Sequence, residues 1–518
     1  MWRSLIMVVV LAVSLPWAGS TSAIRPAVLA GPPSPDRALR DLIPASALLA
    51  VEVRDLDRRW GEIRSLPAIA NLQDAILSGA GIPPELLPRL FGSRGVVFLA
   101  SSPHPPNLMP VAILRPPDLQ SAESVLGSLQ TTALVRAGGA IWLGPAGSED
   151  RLAELAANGN VRLVDVLPFA EIERRLPPAG LISGWVNPAA WAGFLRACED
   201  LTGLAPIRFA ASAAAGELET MRYLAFRRDL VNGGLEMDGI AAYEVARLPG
   251  EVARIFDPNA TPALLPAELP PETVAAAAFR PQAAAWLPWL RYLSAADARG
   301  PLRNLDFWIG EFGQRYRRDL DREIFHALGE QAWMLATLAG DNRSVTPAWV
   351  FEVRDPQILA PALLDFISWL GEQVSLQSLG AVRPQLLLAG PQGNAAHDLA
   401  LRLPFFSIPG PRFRIAGGYL VIGANDAAMQ AALALAESAR REAGATDAAA
   451  GPVHGSVRIQ GGRLAEWIQA AIPAIPERGG ILDAIAVLVR SLDGMRIDLS
   501  YEADGFRVRG RIGFAVRR

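Results

Sequence analysis

The pattern of apolar and polar positions predicts one short element twice. Residues 137–144 read Ala-Gly-Gly-Ala-Ile-Trp-Leu-Gly, and residues 416–423 read Ala-Gly-Gly-Tyr-Leu-Val-Ile-Gly. Each stretch is typical of a two-glycine turn that leads into an apolar strand. A polar break and an Ala/Leu-rich helical pattern follow each one. We therefore expect a hairpin of the same kind in both halves of the chain.

Other landmarks recur in the same order. A strand predicted at 44–54 has a counterpart at 270–280, and both run ten residues from a proline to an arginine. Further on, Asp118 and Asp355 each follow a predicted strand and are suited to cap the helix that comes next. The shared order indicates that the chain contains the same arrangement twice.

Glycine spacing supports the same interpretation. The step from Gly184 to Gly239 equals the step from Gly455 to Gly510. Glycine enters backbone conformations that other residues rarely adopt, so matched glycines suggest matched backbones. We interpret the combined landmarks as an internal duplication.

The predicted fold class is α+β, with two related halves. Each half is expected to be a largely antiparallel sheet with helices packed on one face. Sequential strands joined by hairpin turns favour this fold over a doubly wound parallel sheet, which needs a crossover helix between most strands. The predicted organisation is a signal peptide (1–23), a Pro-rich linker (24–40), a first half (41–246), a second linker (247–267) and a second half (268–518).

The first 23 residues have the pattern of a secretory signal. Arg3 gives a positive start, residues 5–13 form an apolar core, and small residues allow cleavage near Ala23. The alternative is that the segment is kept as an uncleaved anchor. Because no later stretch reaches about 18 uninterrupted apolar residues, we expect no integral membrane span in the mature chain. The predicted location is the periplasm or the exterior.

Composition excludes several chemistries. All 49 cationic residues are arginine, and arginine stays protonated, so a Schiff-base, P-loop or Ser-x-x-Lys lysine is excluded. The net charge of −3 is spread without a basic block, which argues against nucleic acid as a partner. With one cysteine, an intrachain disulfide is impossible.

Known catalytic and metal motifs do not occur in the sequence. The four histidines lack ligand spacing, so no cofactor or metal is expected and the chain is not predicted to be an enzyme. The segment His454-Gly455-Ser456 could supply a base and a nucleophile. Its counterpart, Ser183-Gly184-Trp185, has no histidine, which favours a structural strand in both places.

Aromatic side chains are the best indication of a ligand site. They lie on two consecutive predicted helices, 283–293 and 305–317, and Phe307 and Tyr316 accompany them. Trp and Tyr combine a large apolar area with a polar tip, as a binding groove requires. The alternative is that the rings fill the core of the second sheet. The candidate ligand-binding residues are Trp286, Trp289, Tyr292, Trp308 and Phe312.

The repeated elements together resemble a known family. The signal, the strand and helix at 44–59, the strand before an Asp-capped helix, and the Gly-Gly strand followed by Asn425-Asp426 are similar to the exported bacterial domain-of-unknown-function 3352 family. The resemblance covers nearly the whole mature chain. It implies an envelope or secreted protein and assigns no functional residue.

These observations lead to one functional hypothesis and two alternatives. The leading hypothesis is an exported, non-catalytic binding or scaffold protein of the bacterial cell envelope, whose partner is another envelope protein or an apolar ligand. One alternative is a carrier of an apolar or lipid-like ligand held between sheet and helices. The other is a hydrolase whose site is assembled from distant residues.

Overall fold

A computed structural model describes most of the chain. The described residues are 27–28, 38–66, 70, 85–103, 106–127, 132–157, 161–178, 180–199, 211, 214–231, 234–248, 250–296, 304–339, 344–376, 385–390, 397–403, 406–442, 453–471 and 491–514. The predicted signal peptide, 1–23, lies outside them. So does most of the predicted linker 24–40.

The described chain contains strand hairpins separated by helices. The strands are β1 (Ala27–Val28), β2 (Ala47–Arg54), β3 (Arg94–Pro103), β4 (Pro106–Leu114), β5 (Thr132–Ala137), β6 (Ala140–Pro145), β7 (Ile182–Val186), β8 (Met221–Val231), β9 (Gly234–Tyr243), β10 (Thr273–Phe279), β11 (Leu328–Leu338), β12 (Val345–Val353), β13 (Gln385–Ala389), β14 (His397–Leu403), β15 (Phe406–Ala416), β16 (Tyr419–Gly423), β17 (Gly455–Gln460), β18 (Leu492–Glu502) and β19 (Gly505–Phe514). The α-helices are α1 (Leu56–Arg64), α2 (Leu86–Phe91), α3 (Leu119–Gly127), α4 (Glu149–Ala157), α5 (Leu163–Val166), α6 (Phe169–Arg175), α7 (Pro188–Glu199), α8 (Gly250–Ala253), α9 (Trp286–Ala296), α10 (Leu305–Tyr316), α11 (Pro356–Leu376), α12 (Asp426–Glu442) and α13 (Gly461–Ala471). The α+β class is confirmed.

The chain divides into two compact units. The first comprises residues 1–245 with 475–491 and 507–518, and the second comprises residues 246–474 with 492–506. The division after residue 245 lies close to the predicted end of the first half. At the other end of the chain the division differs from the predicted second half, because β19 pairs with β9 and residues 507–518 group with the first unit.

The sheet of the first unit is antiparallel throughout β2 to β9. Its strand order is β5-β6-β4-β3-β2-β7-β8-β9, and β19 follows β9. The short strand β1 lies parallel to β5. Consecutive strands are mostly neighbours, as the hairpin signals predict.

The sheet of the second unit is also antiparallel. Its strand order is β13-β14-β15-β16-β12-β11-β10-β17-β18. If the hairpin β13–β14 is set aside, this order matches that of the first unit from β5 to β8, with β10 in the place of β2 and β17 in the place of β7. The strands β2 and β10 therefore occupy the same place in the two sheets, and we call them the central strands.

Both predicted glycine hairpins form with the same register. Ala137 lies opposite Ala140 in the first, and Ala416 lies opposite Tyr419 in the second. The two glycines between them have positive φ in both cases, +60° and +70° in the first turn and +59° and +81° in the second. Two successive positive φ angles define a type I′ turn, whose twist matches that of the flanking strands.

The central strands β2 and β10 share an irregularity of register. The register shifts between Ala47 and Leu49 in β2, and at the same step between Thr273 and Ala275 in β10.

The glycines chosen for their equal spacing do not occupy equivalent positions. Gly184 lies opposite Val51, whereas the residue equivalent to Val51 is Ala277, which lies opposite Val457 and not Gly455. Equal spacing was therefore not a guide to position here.

The prediction that helices cover one face of each sheet is wrong, because both faces are covered. In β4, Val111 and Ile113 belong to one core cluster together with Leu152 of α4. The alternate residues Ala112 and Leu114 belong to a second cluster with α3. An unbroken apolar run such as residues 111–114 must bury both faces of its strand, so one layer of helices is not enough.

The second unit shows the same arrangement. On one face, Val421 of β16 packs with Met429 and Leu435 of α12. On the other face, Leu420 packs with Phe312 of α10 and with residues of α11. This second cluster contains Phe312 and has Trp308 packed against it, and both are candidate ligand-binding residues.

Candidate functional site

The aromatic residues of α9 make contacts near the protein surface. Trp289 and Tyr292 stack on each other with ring centroids 5.7 Å apart, as residues three positions apart on a helix can. The Nε1–H of Trp286 donates to the backbone oxygen of Pro281 at 2.5 Å, and its ring lies 5.9 Å from that of Phe325. The polar edge of Trp286 is thus satisfied within the protein.

On α10, the aromatic side chains divide between core and surface. Phe312 is 1% exposed, and its ring contacts Tyr316, Phe366 and Trp369 at centroid distances of 5.5, 5.8 and 5.9 Å. Trp308 is half-buried and meets Trp369 at 6.1 Å. Phe312 is therefore a core residue of the interface between α10 and α11.

Two aromatic side chains of these helices are open to solvent. Phe307 is 66% exposed and Trp286 is 37% exposed, while Trp289, Tyr292 and Trp308 are half-buried. We call these five residues the α9–α10 surface. Four of them were predicted from the sequence as ligand-binding, and Phe307 was named with them.

A polar contact accompanies the α9–α10 surface. Arg291 of α9 donates from Nε to Asp306 of α10 at 2.8 Å, and both side chains are exposed. An exposed ion pair of this kind adds little stability, but aromatic residues and arginine are both enriched at protein interfaces.

A cleft of about 580 Å³ lies elsewhere in the second unit. The segment 266–270 forms one wall, and Leu435, Ser438 and Arg441 of α12 contribute to the other. Its shape is held by Glu442, whose Oε2 accepts the backbone N–H of Ala267 at 2.8 Å. The volume suits a small ligand, but the charged lining does not suit a purely apolar one.

Sequence reasoning missed a row of polar residues that crosses the sheet of the first unit. Glu52 of β2 lies opposite Ser183 of β7, Ser183 lies opposite Arg227 of β8, and Arg227 lies opposite Asp238 of β9. The first three are 0%, 1% and 9% exposed. We call these four residues the polar row. Only strand pairing brings them together, so no local signal could have found them.

The possible base and nucleophile of β17 do not form a relay. His454 is fully buried, and its Nδ1 accepts the backbone N–H of Tyr501 at 2.9 Å while its ring stacks on that of Tyr501. The Oγ–H of Ser456 donates instead to Asp498 Oδ1 at 2.8 Å. These contacts therefore favour a structural role for residues 454–456 over a catalytic one.

Burial lowers the pKa of His454, and the charge of Arg280 acts in the same direction. Because Nδ1 accepts a hydrogen bond, the neutral ring carries its proton on Nε2, which faces the backbone of Pro258 and Ala260 without a well-formed hydrogen bond. The folded protein therefore favours the neutral ring.

A second carboxylate network in the first unit surrounds Glu171. Tyr223 donates from its hydroxyl to Glu171 Oε1 at 2.8 Å, and Arg222 forms an ion pair with the same carboxylate. Burial alone raises the pKa of Glu171, but these contacts outweigh it and hold the pKa below its usual value. A carboxylate held ionised in this way cannot easily act as a general acid.

In the described part of the chain, no three His, Cys, Asp or Glu residues cluster as metal ligands would. Of the helices placed there, none combines the length and the apolar character that crossing a bilayer requires.

Comparison with protein-family models, with curated proteins and with solved structures gave no match to this chain.

Proposed function

We propose that this chain is an exported, non-catalytic binding protein of the bacterial cell envelope, and that the α9–α10 surface is where it binds a partner protein. The observation that carries the proposal is that Phe307 is 66% exposed, whereas Phe312 on the same helix is buried. Exposed aromatic groups beside polar residues mark interaction sites more often than they serve stability.

The export part of the proposal rests on the sequence. The charged and apolar pattern of residues 1–23 supports secretion with cleavage near Ala23, to the periplasm or the exterior. Membership of the exported domain-of-unknown-function 3352 family is part of the same proposal.

We also propose that the two units arose by duplication. Their common strand order, the two type I′ turns with the same register and the matched shift in β2 and β10 support this. The hairpin β13–β14 is then an addition to the second copy, and the α9–α10 surface a specialisation of it.

Site-specific photocrosslinking in the bacterium tests the binding proposal. A benzophenone amino acid in place of Phe307 should give one discrete adduct with an envelope protein. The same group in place of Val161, which is 52% exposed in the first unit, is the matched control and should not give that adduct.

A second substitution makes the test specific. Trp286→Ser should weaken the Phe307 adduct, because it removes a neighbouring part of the same surface. The proposal fails if both crosslinker positions give the same pattern, or if the adduct is unchanged by Trp286→Ser.

The carrier alternative is favoured by the cleft along α12. Its volume of about 580 Å³ is in the range of small-ligand sites, although Arg441 and Glu442 in its wall suit an amphiphilic molecule better than a lipid tail. Native mass spectrometry of the purified protein should then show a bound small molecule. A mass and a melting temperature that do not change on delipidation would contradict it.

The hydrolase alternative requires a histidine or a second carboxylate close to a reacting group. Among the described residues, His326 and Asp321 come closest to this arrangement, with Nε2 and Oδ1 3.8 Å apart on an exposed turn. This is longer than a hydrogen bond. Loss of hydrolysis of a generic ester in His326→Gln would support this alternative, and unchanged activity would remove this pair from it.

A further inference from the structure

The polar row is buried under the end of α6. Arg227 donates from Nη1 to the backbone oxygen of Leu176, directly after α6, at 3.3 Å. Glu52 is fully buried, and Ser183 between them is 1% exposed. Buried polar groups in the middle of a sheet are costly unless each has a partner.

The row and its surroundings carry more positive than negative groups. Glu52 is held by Arg54 at 2.6 Å and by Arg94 at 2.5 Å, and Asp238 is held by Arg507 and Arg509.

Arg227 has no carboxylate partner of its own among the described residues. It lies in the fields of Arg54 and Arg40, which oppose those of Glu52 and Glu173. Burial is the main reason that the pKa of Arg227 is lowered. A negative group beside Arg227 would offset the free-energy cost of burying its positive charge.

Ser183 also lacks a partner. Its buried Oγ has no hydrogen bond in the described part of the chain. An unsatisfied buried hydroxyl costs about 1–3 kcal/mol, so a group that could accept its hydrogen bond would stabilise the protein.

The second unit shows what group fits this position. By strand register, Ser456 of β17 is the equivalent of Ser183, and Asp498 of β18 is the equivalent of Arg227. Ser456 is 4% exposed and donates to Asp498 Oδ1 at 2.8 Å. In the second unit the serine thus donates to a carboxylate, whereas in the first unit it lies between Glu52 and Arg227 and its Oγ forms no hydrogen bond to either of them.

We propose that Ser183 and Arg227 bind the carboxylate group of a small molecule. The ligand would supply the carboxylate that Asp498 supplies in the second unit, accepting from the hydroxyl of Ser183 and from the guanidinium of Arg227. Arginine is suited to this role because its fork of N–H groups matches a carboxylate. Arg54 and Arg94, which are partly exposed and pair with the neighbouring Glu52, add positive charge beside the site. The site is in the first unit and does not depend on the α9–α10 surface.

The test is thermal unfolding of the mature protein in sodium acetate, compared with sodium chloride at equal ionic strength. Acetate should raise the melting temperature with a saturable dependence on concentration, because it binds only the folded state. Chloride should not. Inorganic phosphate at the same ionic strength serves as the third arm, and a response to phosphate without a response to acetate would overturn the carboxylate assignment.

Two variants locate the site. Ser183→Ala should weaken the apparent acetate affinity about tenfold, the usual effect of losing one hydrogen bond to a charged group. Arg227→Asp should abolish the response while keeping the fold, because it gives Ser183 the partner that Ser456 already has. Circular dichroism checks the fold of each variant.

The matched control is Ser456→Ala in the second unit, which should leave the acetate response intact. The proposal is overturned if acetate and chloride act alike, if folded Arg227→Asp still responds, or if Ser456→Ala removes the response as Ser183→Ala does.

Discussion

Two phenylalanines of α10 provide a matched test of which aromatic residues are structural. Phe312 is 1% exposed and Phe307 is 66% exposed, although both lie on the same helix and were considered together from the sequence. Replacing each with alanine makes the same chemical change in opposite environments. The pair therefore separates the core interpretation from the binding interpretation.

The magnitude follows from the contacts. Phe312 is surrounded by Tyr316, Phe366 and Trp369, so Phe312→Ala leaves a cavity and should cost about 3–5 kcal/mol. Phe307→Ala removes a mostly solvated ring from a helix, where alanine has the better propensity, and should change stability by less than about 0.5 kcal/mol.

Thermal unfolding followed by near-UV circular dichroism measures both effects. For a unit of this size each kcal/mol moves the midpoint by about 2–4 °C, so Phe312→Ala should lower one transition by about 6–20 °C. Since the chain has two compact units, the comparison is made on the transition that Phe312→Ala moves. Phe307→Ala should leave that transition within about 2 °C of the parent protein.

The reasoning is refuted by either of two results. One is that Phe307→Ala destabilises the protein as much as Phe312→Ala, which would mean that its ring is buried in solution. The other is that Phe312→Ala has almost no effect, which would mean that the aromatic core between α10 and α11 is not formed.

Three further predictions concern other parts of the structure. The folded state lowers the pKa of His454 below its unfolded value of about 6.5. The stability that depends on His454 should therefore be constant above that pH and fall below it, by at most about 1.4 kcal/mol per pH unit. In thermal scans, His454→Gln should lose this dependence and His326→Gln should keep it. Gly418→Ala, at a φ of +81°, should cost about 1 kcal/mol, whereas Gly310→Ala, on an open helix face, should be neutral or stabilising by up to about 1 kcal/mol; chemical denaturation compares the two. Glu52→Gln leaves two arginines without their buried carboxylate and should cost about 3–5 kcal/mol by the same measurement, and a loss below about 1 kcal/mol would show that the carboxylate is not needed.

Local signals in the sequence were sufficient for two turns and for the start of two helices. Two adjacent glycines followed by an apolar run predicted both type I′ hairpins, because few other residues adopt two successive positive φ angles. Asp118 and Asp355 cap their helices as expected: the carboxylate of each accepts backbone N–H groups in the first turn.

Which side of an element is buried could not be predicted in the same way. Phe307 and Phe312 have similar neighbours in the sequence, and only the position of α11 makes one a core residue. The apolar run of β4 is visible in the sequence, but the helices that cover its two faces come from other parts of the chain. The pattern of a strand shows which of its faces must be buried, but it does not show which helix buries them.

The polar row was beyond local reasoning for a related reason. Glu52, Ser183 and Arg227 come from strands far apart in the chain, and each alone resembles the polar half of an alternating strand. Strand register converts them into one buried cluster. A single-residue slip of β7 would turn Ser183 to the opposite face, so the cluster depends on the register as much as on the residue types.

The comparison of the two units separates the demands of the fold from those of binding. The positions that agree are backbone positions: the positive-φ glycine pairs and the register shift at the start of each central strand. One position reverses its charge: a buried serine lies opposite Asp498 in one unit and opposite Arg227 in the other. Burying a positive charge is costly unless something compensates it, and Arg227 forms no ion pair with the described carboxylates, although it lies in the fields of Glu52 and Glu173. If the units are copies of one ancestor, the simplest reason for keeping that arginine is a ligand that brings the missing negative charge.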